Sequence, residues 1–122
     1  MTTAEADVAR LAERARAEGR LGLDTEFMPE GRYRPLLCLV QIAAGGEIAV
    51  LDPLDGGFDH EPLAAVLADP AVEIVLHAGR QDVAILRREW QTDVTSVFDT
   101  QVAAGFAVLA RRMCSTSLSR PV

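Results

Sequence analysis

No lysine occurs among the 122 residues; all 12 basic side chains are arginine. A phosphatase built on an aspartyl nucleophile would want a lysine downstream, so that class is disfavoured. Loss of one residue type from a whole chain reads as a coding bias more than as chemistry, although arginine's planar fork does suit phosphate. Cysteine is nearly as scarce. Cys38 and Cys114 are too few for a disulfide framework and lack zinc-ligand spacing. Cys38, inside Leu36-Leu37-Cys38-Leu39-Val40, reads as a small core residue. No apolar run approaches the roughly 18 residues of a membrane span. The N-terminus, with Glu5, Asp7 and Glu13 among its arginines, is unlike a secretory signal. Positive charge is not in excess either. A net charge of −6 argues against a passive phosphate-binding surface, but not against a site built from carboxylates. The expected location is the cytoplasm, with no membrane association.

Half of the residues are hydrophobic and a quarter charged, as in a folded globular chain, and the length suits one domain. Thr2 to Glu18 reads as a helix: Thr2 and Glu5 fit a capping box, Val8, Leu11, Ala12 and Ala15 form a stripe, and Gly19 is the stop. Strands are expected at Arg20–Phe27, Leu36–Ala43 and Glu47–Leu51, with Gly45-Gly46 as a hairpin turn. The second, almost wholly apolar, reads as covered on both faces. Met28–Pro35 and Asp52–His60 read as loops. A short helix at Glu61–Ala68 has Pro62 in its first turn. Then come a strand at Val72–Leu76, a helix at Gly79–Trp90, a short strand at Val94–Phe98 and a helix at Asp99–Leu109 capped by Asp99. This order predicts an α/β mixed sheet with helices packed against it.

The segment Leu21-Gly22-Leu23-Asp24-Thr25-Glu26-Phe27 sets two carboxylates two residues apart in apolar surroundings. On a strand, positions i and i+2 share a face. Adjacent like charges beside apolar surface lose hydration and repel, so the pair calls for a cation. All-oxygen ligands suit a hard divalent ion, Mg²⁺ or Mn²⁺. The bland alternative is a solvated pair at a strand end.

A second constellation is Leu76-His77-Ala78-Gly79-Arg80-Gln81-Asp82, where an apolar strand turns through small residues into a helix. Open α/β sheets place their sites at such strand ends. The helix N-terminus favours Asp82 as an anion. The alternative is structural: a first-turn Asp and a hydrogen-bonded strand-end His77.

Together these segments resemble the ribonuclease D-like 3′–5′ exonucleases of the DEDD superfamily. Asp24-Thr25-Glu26-Phe27, with Arg32-Tyr33 and the strand Leu36–Ile42, resembles the first motif. Leu51-Asp52-Pro53-Leu54 resembles the strand and loop that follow. His77–Asp82 resembles the second motif, and Phe98-Asp99-Thr100-Gln101-Val102-Ala103-Ala104 the helix after it. Four segments in family order are far more specific than one short pattern. The resemblance implies a ribonuclease H-like fold and hydrolysis of phosphodiester bonds at RNA 3′ ends, tRNA among the substrates, by two divalent ions. Asp24, Glu26 and Asp82 would be the catalytic carboxylates and metal ligands. Phe27 and Met28 would pack on the terminal nucleotide. Arg32, Arg34 and Arg80 are candidate phosphate contacts, the alternative for each being solvated surface, and His77 would orient backbone without binding metal.

The family's third motif, Tyr-x-x-x-Asp or His-x-x-x-Asp, has no counterpart among the 122 residues; the lone tyrosine is Tyr33 and the histidines are His60 and His77. After Leu109 the composition turns to Ser and Arg. The expectation is a partial exonuclease domain over residues 1–110, incomplete at its C-terminus, and a tail at 111–122 outside the family, with a reading-frame change near Ala110. Such a chain would be poorly active or inactive, and the competing function is a non-catalytic nucleic-acid-binding remnant. Missing helices would leave part of the sheet uncovered. The sequence does not set an oligomeric state.

Overall fold

A computed structural model describes residues 5–28, 35–55 and 58–118. The elements are α1 (Glu5–Glu18), β1 (Arg20–Met28), β2 (Leu36–Ala44), β3 (Glu47–Leu51), α2 (Glu61–Leu67), β4 (Glu73–Leu76), α3 (Arg80–Trp90), β5 (Val97–Asp99) and α4 (Thr100–Leu118). They build one mixed sheet in the order β3-β2-β1-β4-β5. The antiparallel run β1-β2-β3 occupies one side, and β4 and β5 run parallel to β1 on the other. The α/β mixed sheet with flanking helices is as the sequence predicts. Thr2 of the expected capping box, and the loop with Arg32, Tyr33 and Arg34, lie outside the described residues.

Local chemistry explains the boundaries. In α1, Val8, Leu11, Ala12 and Ala15 are all buried, the stripe that the spacing requires. Gly19 ends the helix at φ +71°, its N–H donating to the Ala15 carbonyl at 2.8 Å. Gly45 and Gly46, at φ +60° and +77°, form the two-residue hairpin turn between β2 and β3. Helix α1 holds that turn: Arg14 donates to the Gly45 carbonyl at 2.9 Å, and the Gly45 N–H donates to Glu18 at 3.2 Å.

One face of the sheet carries the core. Leu21 and Leu23 of β1, Val40 and Ile42 of β2 and Ile74 of β4 are buried, together with Val8 and Leu11 of α1, Leu63 and Leu67 of α2 and Leu86 of α3. Each such side chain contributes about 1.5–3 kcal/mol by leaving water. A bulge adjusts the register. Glu26 pairs with Leu39 but Phe27 pairs with Leu37, so Cys38 is an extra residue on β2. That is why Leu37 and Val40 are both buried although simple alternation would put them on opposite faces. It also leaves Cys38 half-buried instead of in the core.

The opposite face is open. Register aligns Ile48 of β3, Ala43 of β2, Gly22 of β1, Val75 of β4 and Phe98 of β5 in one row. Ala43 is exposed, and Ile48 and Phe98 are 67% and 45% exposed. The expectation that β2 is covered on both faces therefore fails. Among the described residues no second layer packs on this face, and the apolar composition of β2 there reflects small and aliphatic residues that remain open.

Two further boundaries differ from expectation. The strand expected at Val94–Phe98 is Val97–Asp99, because Thr92 and Thr95 are drawn to α2. Thr92 Oγ1 donates to the Ala64 carbonyl at 2.6 Å and the Thr95 N–H to the Leu67 carbonyl at 3.3 Å. Helix α4 does not stop at Leu109. No Gly or Pro breaks residues 106–118, and Met113 continues the Val102, Phe106, Leu109 stripe at helical spacing. All four stripe residues are exposed. Among the described residues, no helix is long and apolar enough to cross a membrane.

Candidate active site

β1 runs further than its parallel neighbour. The pairing of β1 with β4 ends at Gly22 and Val75, whereas β1 pairs with β2 as far as Met28. Beyond Gly22, the β4 side of β1 therefore offers backbone groups with no strand beside them. In that gap lies Asp82, in the first turn of α3. Its Oδ1 accepts the Thr25 backbone N–H at 3.0 Å and also accepts the Thr25 hydroxyl. Strand N–H groups lie in the plane of the sheet, so this carboxylate sits at the edge of β1, where β4 would otherwise continue. Asp82 and Thr25 are both buried, 7% and 6% exposed. Among the described residues, Asp82 Oδ2 accepts no hydrogen bond.

Asp24 and Glu26 flank Thr25 on the opposite, open face, and both are exposed. Alternation puts them together, about 7 Å apart along the strand. Neither has a hydrogen bond or ion pair among the described residues. The three carboxylates expected from the sequence thus meet at one stretch of β1, two on a face and one at the edge. They do not close into a cage: among the described residues, no group of three or more His, Cys, Asp or Glu could by itself hold a metal ion. The donor chemistry nevertheless fits Mg²⁺ or Mn²⁺. Such ions take hard oxygen ligands and are commonly bound by one or two carboxylates, with waters and substrate phosphates filling the remaining positions.

Asp99 fixes the approach of α3. Its Oδ1 accepts the N–H groups of Ala78 at 3.0 Å and Gln101 at 2.9 Å, and its Oδ2 accepts that of Gly79 at 2.9 Å. One carboxylate therefore caps α4, as expected, and also ties down the turn that launches α3. The Gly79 N–H holds this carboxyl below the usual range, desolvation opposes that shift, and the Ala78, Gln101 and Val102 N–H groups add to the lowering. In the same turn Ala78 has φ +52°, a left-handed conformation that non-glycine residues rarely adopt. A side chain at Gly79 would crowd Leu76, since an added Cβ would lie 2.4 Å from Leu76 Cδ1.

His77 points its Nδ1 at Thr100 Oγ1, 2.9 Å away, while that hydroxyl donates to the Leu76 carbonyl at 3.2 Å. The hydroxyl has one proton, so His77 Nδ1 donates to it. His77 was expected to orient backbone; its bond is to a side-chain hydroxyl, which in turn reaches the Leu76 carbonyl. Of the other expected contacts, Met28 is 52% exposed on the face of the acids. Phe27 is partly buried against the core, on the opposite face. Arg80 is exposed at the start of α3. Arg32 lies outside the described residues.

Thr25, bonded to Asp82, was not among the residues expected at the site. A signal was available: Thr25 is the one polar member of the inward series Leu21, Leu23, Thr25, Phe27. The second duty of Asp99 was not expected, because its partners, Ala78 and Gly79, are 21 and 20 residues away.

The 3′–5′ exonuclease family model matches residues 1–119. A ribonuclease D from Gluconacetobacter diazotrophicus is 45% identical over 104 residues, which are 85% of this chain and 26% of that protein. The crystal structure of Escherichia coli RNase D, described as an exoribonuclease involved in structured RNA processing, superposes with a TM-score of 0.75 at 37% identity, over 85% of this chain and 28% of that one. The Trypanosoma brucei RNase D complex with RNA U12 shares the fold at a TM-score of 0.66 and 18% identity, over 80% of this chain and 36% of that one. The chain thus spans about a quarter of the length of the curated relatives it matches. With the family model matched along nearly the whole chain, the chain belongs to the 3′–5′ exonuclease family, and within it is similar to the ribonucleases D.

Proposed function

We propose that this chain supplies the metal-binding part of a 3′–5′ exoribonuclease that hydrolyses phosphodiester bonds at RNA 3′ ends in the cytoplasm, tRNA among its substrates. The observation that carries this reading is the convergence of Asp24, Glu26 and Asp82 on one stretch of β1, at the free carboxyl end of a parallel strand pair. Asp24 and Glu26 would hold divalent ions, and Asp82 would contribute Oδ2 directly or through water. The ions, when bound, would supply activation of a water and stabilisation of the departing 3′-oxygen.

The remaining residues act by binding and placement. Met28, exposed beside the acids, offers an apolar surface to the terminal nucleotide. Arg80 offers a guanidinium to phosphate near Asp82. His77 and Asp99 hold the turn from which α3 starts. Phe27, turned to the core, supports the strand end rather than stacking on a base.

The test is an RNA labelled at its 5′ end, incubated with the chain and Mg²⁺ or Mn²⁺. Slow stepwise shortening from the 3′ end with release of nucleoside 5′-monophosphates is expected, lost on chelation and in Asp24→Asn. The second reading is a non-catalytic nucleic-acid-binding remnant. It is favoured by the open arrangement of Asp24, Glu26 and Asp82, which form no three-carboxylate group among the described residues. Metal-independent RNA binding without any product would establish it.

A further inference from the structure

We infer that Thr25 is a positioning residue for the metal site: its hydroxyl and its backbone N–H together occupy Oδ1 of Asp82, so that Asp82 can offer a metal one oxygen only. This inference rests on the reading of Asp24, Glu26 and Asp82 as metal ligands.

Both Thr25 bonds end on the same oxygen, Asp82 Oδ1, and both partners are buried. A carboxylate oxygen that accepts two hydrogen bonds from fixed donors has little lone-pair density left for a cation. Bidentate chelation by Asp82 would require both bonds to break, exposing a buried N–H without a partner. Oδ2 has no such engagement among the described residues.

Geometry makes Thr25 more than a generic partner. The backbone N–H is fixed by β1, and the hydroxyl is fixed because Thr25 is β-branched and packed on the inward side of the strand. Its neighbours on either side are Asp24 and Glu26. The residue that locates Asp82 is therefore covalently joined to both of the other carboxylates. Motion of α3 relative to β1 would have to break these bonds before the spacing among the three acids could change. Hydrogen-bond partners of metal-binding groups typically change affinity or activity 10- to 100-fold when removed.

The experiment measures binding of Mn²⁺ alone by isothermal titration calorimetry to the full chain and to three variants: Thr25→Val, Thr25→Ser and Asp24→Asn. Thermal melts of each, without metal, report on the fold. Thr25→Val keeps the shape and removes the hydroxyl; Thr25→Ser keeps the hydroxyl. The expected result is Mn²⁺ binding weakened about 10- to 100-fold in Thr25→Val, restored to within about threefold of the parent in Thr25→Ser, and lost in Asp24→Asn. In RNA hydrolysis the same Thr25→Val change is expected to lower kcat with little effect on KM. Equal Mn²⁺ binding by the parent and Thr25→Val, with loss in Asp24→Asn, would overturn the inference and leave the metal-site reading standing. Equal weakening in Thr25→Val and Thr25→Ser would also overturn it, because the hydroxyl would then not be the cause. Absence of Mn²⁺ binding by the parent chain would overturn the site reading, and this inference with it.

Discussion

Asp99 Oδ2 accepts the backbone N–H of Gly79 at 2.9 Å, across 20 residues of sequence. This bond joins the end of the last strand to the turn that launches α3, and α3 carries Asp82. The carboxylate is stabilised as an anion by the Gly79 N–H, with desolvation acting against it and three further N–H groups reinforcing it, so its pKa is lowered on folding. The sign follows from linkage: a carboxyl with a depressed folded pKa contributes stability that is present above its unfolded pKa and lost as pH falls through the folded value. Asp99→Asn should therefore melt lower than the parent at neutral pH. The gap should close as pH falls below the ordinary Asp range. Thermal melts of the two proteins from pH 7 downwards check this; a constant gap across the range would contradict it.

Gly79 is a steric requirement of the same turn. A Cβ there would meet Leu76 Cδ1 at 2.4 Å and Leu76 Cγ at 2.9 Å, and Leu76 is itself buried. Gly79→Ala should destabilise by about 1–3 kcal/mol, the usual cost of overpacking. It should shift the urea midpoint without changing the slope. Shortening the obstacle should recover part of the loss, so Gly79→Ala combined with Leu76→Val is expected to be less destabilised than the sum of the two single changes.

The sequence made the acids of β1 legible because strand period is strict: Asp24 and Glu26, two apart, had to share a face. Asp82 in the first turn of α3 and Asp99 as the cap of α4 were legible from local rules for helix starts. What escaped was non-local. The Thr25–Asp82 bonds span 57 residues, and nothing near either residue announces the other. The bulge at Cys38 escaped because an apolar run reads the same in either register. That part of the sheet would be uncovered was expected, but which face was not legible, because Ala43, Val75 and Ile48 are apolar whether or not anything covers them.

Helix α4 exposes Val102, Phe106, Leu109 and Met113 along one stripe, Phe106 at 68% and Met113 at 65%. A contiguous apolar stripe of this kind on a free chain favours association. Phe106→Gln should change stability by no more than about 0.5 kcal/mol, since the side chain is largely solvated as it stands. It should lower binding of a hydrophobic dye and raise the concentration at which the protein begins to aggregate. Light scattering across a concentration series, beside a thermal melt, separates the two effects.

Asp24 and Glu26 share an exposed face with no cation beside them among the described residues. Two carboxylates on one face repel, and on the proposed reading a divalent ion held between them would relieve that repulsion. Asp24→Asn should therefore melt at or slightly above the parent when divalent ions are chelated. Addition of Mn²⁺ should reverse the order. A ligand that binds the folded form alone adds about 2.7 kcal/mol at 100 times its dissociation constant, and only the parent retains both carboxylates. Melting curves of the two proteins with chelator and with saturating Mn²⁺ give four values. A crossing between the pairs is the expected result, whereas parallel shifts in both proteins would mean that the ion stabilises elsewhere on the surface and that the acids of β1 are not its ligands.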